Sequence, residues 1–217
     1  MHASPAITAA LLLAAAGAVA TDGGDIESSW TFNVYLDDSQ IGYHEYRLIE
    51  QQDGLRRIEA NARFDVRFLF INAFRYRHEI EETWSGNCLT EVQARTDSNG
   101  KKTAVKGSLT ESGFLLELGD DERRLGDCIM TFAYWNPEFL KADRLLNPQT
   151  GEFLDVDVQP VDTDRIVVDG KDFAAECYRV TARQVDVRVC YSADDNRWLA
   201  LESPTKGGRT LRYELNT

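Results

Sequence analysis

Between Met1 and Ala20 the sequence has no Asp, Glu, Lys or Arg. Ala6 to Ala18 is instead an almost unbroken apolar run, too short to anchor a helix across a bilayer, which takes about 20 residues. The run ends in Ala18-Val19-Ala20, the small-x-small pattern that signal peptidase cleaves. This predicts a signal peptide over residues 1–20, cleavage after Ala20 and export to the periplasm. No Cys follows the run, so a lipid-anchored mature terminus is not expected. After Ala20 no purely apolar stretch is longer than Phe68-Leu69-Phe70-Ile71, and no transmembrane anchor is expected.

Basic residues are also scarce. Lys and Arg number 24 against 36 Asp and Glu, a net charge of −12 that opposes binding to nucleic acid or anionic headgroups. There is no Gly-x-Ser-x-Gly elbow for nucleophilic catalysis and no glycine-rich loop before a helix for phosphate. Asp155, Asp157, Asp162 and Asp164 lack the Gly and terminal Glu of a calcium loop and read as solvated surface. No cofactor is expected.

Cysteine is sparse but even in number: Cys88, Cys128, Cys177 and Cys190. In an exported chain four Cys predict two disulfides, whereas zinc would need a Cys-x-x-Cys pair, which is absent. The β-prone runs 177–182 and 185–191 flank Arg183-Gln184, which sets Cys177 opposite Cys190 and Tyr178 opposite Val189. By elimination Cys88 pairs with Cys128.

What the chain has in abundance is alternation. Trp30, Phe32, Val34 and Leu36 alternate with polar neighbours, and Asp37-Asp38-Ser39 turns the chain into Ile41 to Ile49. The predicted pairing is Trp30 with Leu48, Phe32 with Tyr46 and Val34 with His44. Ile58, Ala60, Ala62, Phe64, Val66, Phe68 and Phe70 share one face, continued by Phe74, Tyr76, His78, Ile80 and Trp84. Further strands are predicted at 88–96, 101–110, 113–118, 152–160, 164–168, 173–182, 185–191, 197–203 and 209–215. Asn136-Pro137-Glu138 is a helix start, and a helix of about two turns is expected over Phe139 to Leu146, stopped by Asn147-Pro148. The fold class is therefore mainly β: an antiparallel β-barrel or strongly curved open sheet with one short helix. Residues 21–28 read as a flexible tail and 29–217 as a single barrel-like domain.

Several strings carry a family likeness: Ala133-Tyr134-Trp135-Asn136-Pro137, Leu145-Leu146-Asn147-Pro148-Gln149-Thr150-Gly151, Tyr76-Arg77-His78-Glu79 and Trp198-Leu199-Ala200-Leu201-Glu202-Ser203. With Trp30-Thr31-Phe32 and Ile41-Gly42-Tyr43-His44, they resemble the DUF6134 group of uncharacterised exported bacterial proteins, from about Trp30 to Leu215. That group is in turn more distantly similar to exported DUF3108 proteins. The resemblance implies an antiparallel β architecture, an exported location and cysteines matching Cys88 and Cys128, with Cys177 and Cys190 an addition in this chain. It implies no reaction.

Function is read from the inner face. The aromatic stripe either fills a closed barrel or lines the hollow of an open cup. In the second case Phe68, Phe70, Phe74, Tyr76 and His78 form one wall. Trp135, Asn136 and Phe139 then serve as a lid, with Tyr134 and Asn136 offering polar contacts. The function expected is non-catalytic binding of an apolar or amphiphilic, lipid-like ligand in an envelope accessory role. Two alternatives stand beside it. One is an envelope enzyme using His78 or His44 with Glu82; the other is an interaction subunit of an envelope complex that uses an exposed sheet edge.

Overall fold

The computed structural model describes residues 25–51, 53–68, 71–205 and 207–216, so the expected signal peptide lies outside the described residues. The chain starts as a meander of β1 (Asp25–Leu36), β2 (Ser39–Glu50), β3 (Arg56–Phe68), β4 (Ile71–Ser85), β5 (Cys88–Ser98), β6 (Lys101–Thr110), β7 (Gly113–Leu118) and β8 (Asp121–Arg124). It then leaves the sheet through β9 (Met130–Thr131), a 3₁₀ helix at Pro137–Lys141, β10 (Arg144–Asn147) and β11 (Glu152–Asp155). A second meander follows: β12 (Asp157–Val168), β13 (Lys171–Ala182), β14 (Val185–Ser192), β15 (Trp198–Pro204) and β16 (Thr210–Asn216).

Pairing of β16 with β1, Phe32 opposite Leu215 and Val34 opposite Tyr213, fuses the two meanders into one 13-stranded antiparallel sheet. Its edges are β8 and β12, so the sheet is strongly curved and open rather than a closed barrel. One face of so wide a sheet is apolar and must be covered. The segment between the edge strands does this. Ile129, Trp135, Phe139, Leu145 and Leu146 are buried in the same core as Phe32, Ile58, Trp84 and Trp198. The interior is therefore stoppered by the chain itself. The Cys88–Cys128 disulfide, Cα atoms 4.8 Å apart, ties this plug to β5, and Leu89 N–H donates to the Ile129 carbonyl beside it at 3.0 Å.

Strand by strand the alternation is realised: Ile58, Ala60, Ala62 and Phe64 are all buried. Cys177 faces Cys190, and Tyr178 faces Val189, in the predicted register, with the disulfide Cα atoms 4.1 Å apart. Four expectations need correcting. The first hairpin pairs Trp30 with Tyr46, Phe32 with His44 and Val34 with Gly42, two residues from the predicted register. A tight turn, with Asp37 at φ 55°, and a bulge between Val34 and Tyr35 set that register, which alternation cannot distinguish because a shift of two preserves every face. The expected helix over Phe139–Leu146 is only the 3₁₀ turn Pro137–Lys141, although Asn136 does cap it by accepting from Glu138 N–H at 3.2 Å. Leu145 and Leu146 instead lie in β10, pairing with β9 and β11, and both side chains are fully buried. Burying both outweighs the modest helix propensity of the stretch. Finally, 152–160 and 164–168 divide differently, as β11 and β12, and Asp25–Ser28, expected in the tail, already belong to β1.

Candidate functional site

The deep hollow of the inner face is a cavity of about 290 Å³. Its floor is β2 to β4, where alternation aims His44 and Tyr46, Ile58 and Ala60, and His78, Ile80 and Glu82 inward. Its far side comes from β15, β16 and the β13–β14 turn, with Leu201, Tyr213 and Gln184 among the lining residues. The plug roofs it with Thr131 to Trp135. The reason for a hollow here is visible in the register. His44 sits opposite Ala62, which sits opposite His78, and the next row is Tyr46, Ala60 and Ile80. Two alanines on the central strand leave room that larger side chains would fill. The two His backbones are two strand spacings apart, roughly 10 Å.

The polar groups are paired mostly with one another. Nδ1 of His44 lies 3.2 Å from the Tyr46 hydroxyl and 3.4 Å from that of Tyr213. A phenol donating to Nδ1 leaves the imidazole proton on Nε2, which is buried without a partner. His78 Nδ1 is 2.9 Å from Thr96 Oγ1. Burial holds His44 well below the ordinary imidazole range, and pushes His78 down to about 4. Glu82 accepts from Trp84 Nε1 at 3.1 Å and from the Thr131 hydroxyl; burial nevertheless pushes its carboxyl up to about 7. Tyr46, Tyr134 and Tyr213 are raised above the usual phenol range, chiefly by burial. Near neutral pH the imidazoles and phenols of the cavity are therefore neutral, and its carboxyls are Glu82, which ionises near 7, and Asp186, which is paired with Arg179. Among the described residues the imidazoles bond to Tyr46, Tyr213 and Thr96, and Glu82 to Trp84 and Thr131, with no hydrogen bond between either imidazole and Glu82. Among the described residues no three His, Cys, Asp or Glu side chains converge as metal donors.

The pattern of a family described as a domain of unknown function (DUF6134) matches residues 32–216. The chain belongs to this family. No curated protein matches it. Among solved structures it is similar to a beta-barrel-like protein of domain of unknown function DUF1849 from Brucella abortus, with a TM-score of 0.63 at 8% identity. That likeness covers 86% of this chain and 94% of the other, and it shows the fold alone. No helix among the described residues is long and apolar enough to cross a membrane.

In this DUF6134 chain the expected site residues separate into three groups. His78, Tyr134 and Trp135 line the cavity, as do His44 and Glu82 of the enzyme alternative. Tyr76, Asn136, Phe139 and Phe74 do not. Tyr76 stacks on Phe64 at 5.1 Å, Asn136 is spent on the helix cap and a bond to Asn87, and Phe139 is fully buried in the plug. Phe74 is 36% exposed, because parity selects a face of β4 but this end of the strand is not covered. Phe70 and the side chain of Phe68 lie outside the described residues. Tyr46, Thr131 and Tyr213 were not anticipated. Tyr46 shares the parity of His44 and was legible; Tyr213 and Thr131 arrive from distant segments and left no local signal.

Proposed function

We propose that this protein is an exported, periplasmic binding protein that holds a small apolar or amphiphilic, lipid-like ligand without chemistry, in an accessory role at the bacterial envelope. The observation that carries the reading is the cavity of about 290 Å³, close to the lower end of the range in which proteins enclose small ligands. Ile58, Ile80 and Leu201 offer it apolar surface, while Glu82, Tyr46 and Tyr213 supply polar groups. Export is supported by the apolar run at Ala6–Ala18 and by two disulfides, which persist in oxidising compartments. The test is native mass spectrometry of the protein purified from periplasm, before and after organic extraction, together with uptake of an environment-sensitive dye. An adduct lost on extraction, and dye uptake abolished by Leu201→Trp, which fills the cavity, are the expected results. A protein that carries no adduct and takes up no dye refutes the reading.

A further inference from the structure

We infer that the polar end of the ligand is a cation: the cavity fits a small organic ammonium, primary or quaternary, attached to an apolar tail. This rests on the binding reading above and names its ligand class. Glu82 is 4% exposed and lines the cavity, and among the described residues no Lys or Arg is paired with it. No Lys or Arg is among the lining residues either. Arg56 is spent nearby, over the Trp135 ring at 5.2 Å and donating to the Gly86 carbonyl. Glu82 has only the neutral donors Trp84 Nε1 and the Thr131 hydroxyl beside it. A carboxylate out of water with no cation near it is costly, a cost that a protein with no ligand avoids by protonating it. A bound ammonium removes the same cost by pairing. The walls add to this: Tyr46, Tyr134, Trp135 and Tyr213 all line the cavity, and aromatic faces attract cations. A carboxylate or phosphate ligand would meet Glu82 and these ring faces with no guanidinium or ammonium to receive it. At longer range the net charge of −12 favours approach of a cation.

The other titratable groups facing the cavity do not interfere. His44 on β2 and His78 on β4 are held neutral by burial, Tyr46, Tyr134 and Tyr213 stay protonated, and Asp186 on β14 is paired with Arg179 at 2.7 Å. Glu82, which ionises near 7, is the group that changes between pH 5.5 and pH 8.

The experiment is isothermal titration of the disulfide-intact protein with octyltrimethylammonium, octanol and octanoate at both pH values. The ammonium is expected to bind most tightly at pH 8, by roughly tenfold over its own affinity at pH 5.5, because proton release from Glu82 is linked to binding. Glu82→Gln is expected to abolish that pH dependence and weaken the ammonium about tenfold while sparing octanol. If Glu82→Gln does not fold, the pH series on the unaltered protein reads the same group. An ammonium affinity that is flat or falls from pH 5.5 to pH 8, or octanoate binding more tightly than the ammonium at pH 8, overturns the cation inference and leaves the binding reading intact. Failure of all three probes to bind overturns both.

Discussion

Glu82 and Trp84 stand two residues apart on β4 and meet on its inner face, where the indole Nε1 donates to Glu82 Oε2 at 3.1 Å. The indole is fully buried and packs edge-on against Trp135 of the plug, ring centroids 5.6 Å apart. One side chain thus fixes the carboxyl of the cavity and holds the segment that roofs it.

Trp84→Phe keeps much of the packing and removes this donor. Because the bond favours the ionised carboxyl, its loss raises the Glu82 pKa above the value near 7. The accompanying loss of stability is about 1–3 kcal/mol. Carbon-detected NMR titration of the Glu82 carboxyl checks the first, and urea unfolding the second. An unmoved titration would show that the indole bond does not tune the site.

Stability should respond to pH in two opposing ways. Glu82 is raised from 4.5 to about 7 in the folded protein, so its contribution is complete below the unfolded value and is lost as pH rises toward 7, about 3 kcal/mol in all. His78 is lowered from 6.5 to about 4, so its contribution is complete above 6.5 and is lost as pH falls toward 4. His44, shifted in the same direction, adds to the His78 effect. Glu82→Gln should therefore remove the decline with rising pH and expose the steep gain that the imidazoles produce between pH 4 and 6.5. Chemical denaturation across that window measures it, and identical profiles for the two proteins would refute the assignment.

The two disulfides should not be equal. Cys88–Cys128 closes a separation of 40 residues and Cys177–Cys190 one of 13. Chain entropy assigns them about 4 and about 3 kcal/mol. Beyond this, only the first ties down the plug, so the Cys88→Ala, Cys128→Ala pair should lower both the melting temperature and dye uptake. The Cys177→Ala, Cys190→Ala pair should lower the melting temperature alone. Equal loss of uptake in both variants would contradict the plug's role as roof.

Gly42 is opposite Phe64 at the β2–β3 pairing, and a Cβ there would lie 1.8 Å from the Arg63 carbonyl oxygen. The obstruction is backbone and has no rotamer by which to move. Gly42→Ala should destabilise by about 1–3 kcal/mol, the usual range for overpacking. Thermal unfolding of the variant checks it; an unchanged midpoint would mean that the two strands separate locally without cost.

Much of the architecture was readable because strand periodicity is a local property. His44, His78 and Glu82 could be placed on the inner face from parity, and the Cys177–Cys190 contact followed from a two-residue loop between alternating runs. Depth was less legible. Phe74 and Ile58 share a parity, yet one is 36% exposed and the other 1%, because exposure depends on what crosses above the strand. Leu145-Leu146 was misread as helix because its strand exists only through β9 and β11, partners on either side in the fold.

By itself the amino-acid sequence determined which face of most strands each side chain takes and that Cys177 meets Cys190, since each is set by a two-residue repeat or a short loop. Cys88–Cys128, 40 residues apart, followed only by elimination. Only the tertiary structure decided that the wide sheet stays open at β8 and β12, that residues between them roof it, and that Tyr213 joins His44 across 169 residues of chain. Those outcomes depend on long-range closure, the pairing of β16 with β1 and the fit of the plug against the inner face. No local pattern encodes them, because the free energy that selects them is released only when both partners are already in place.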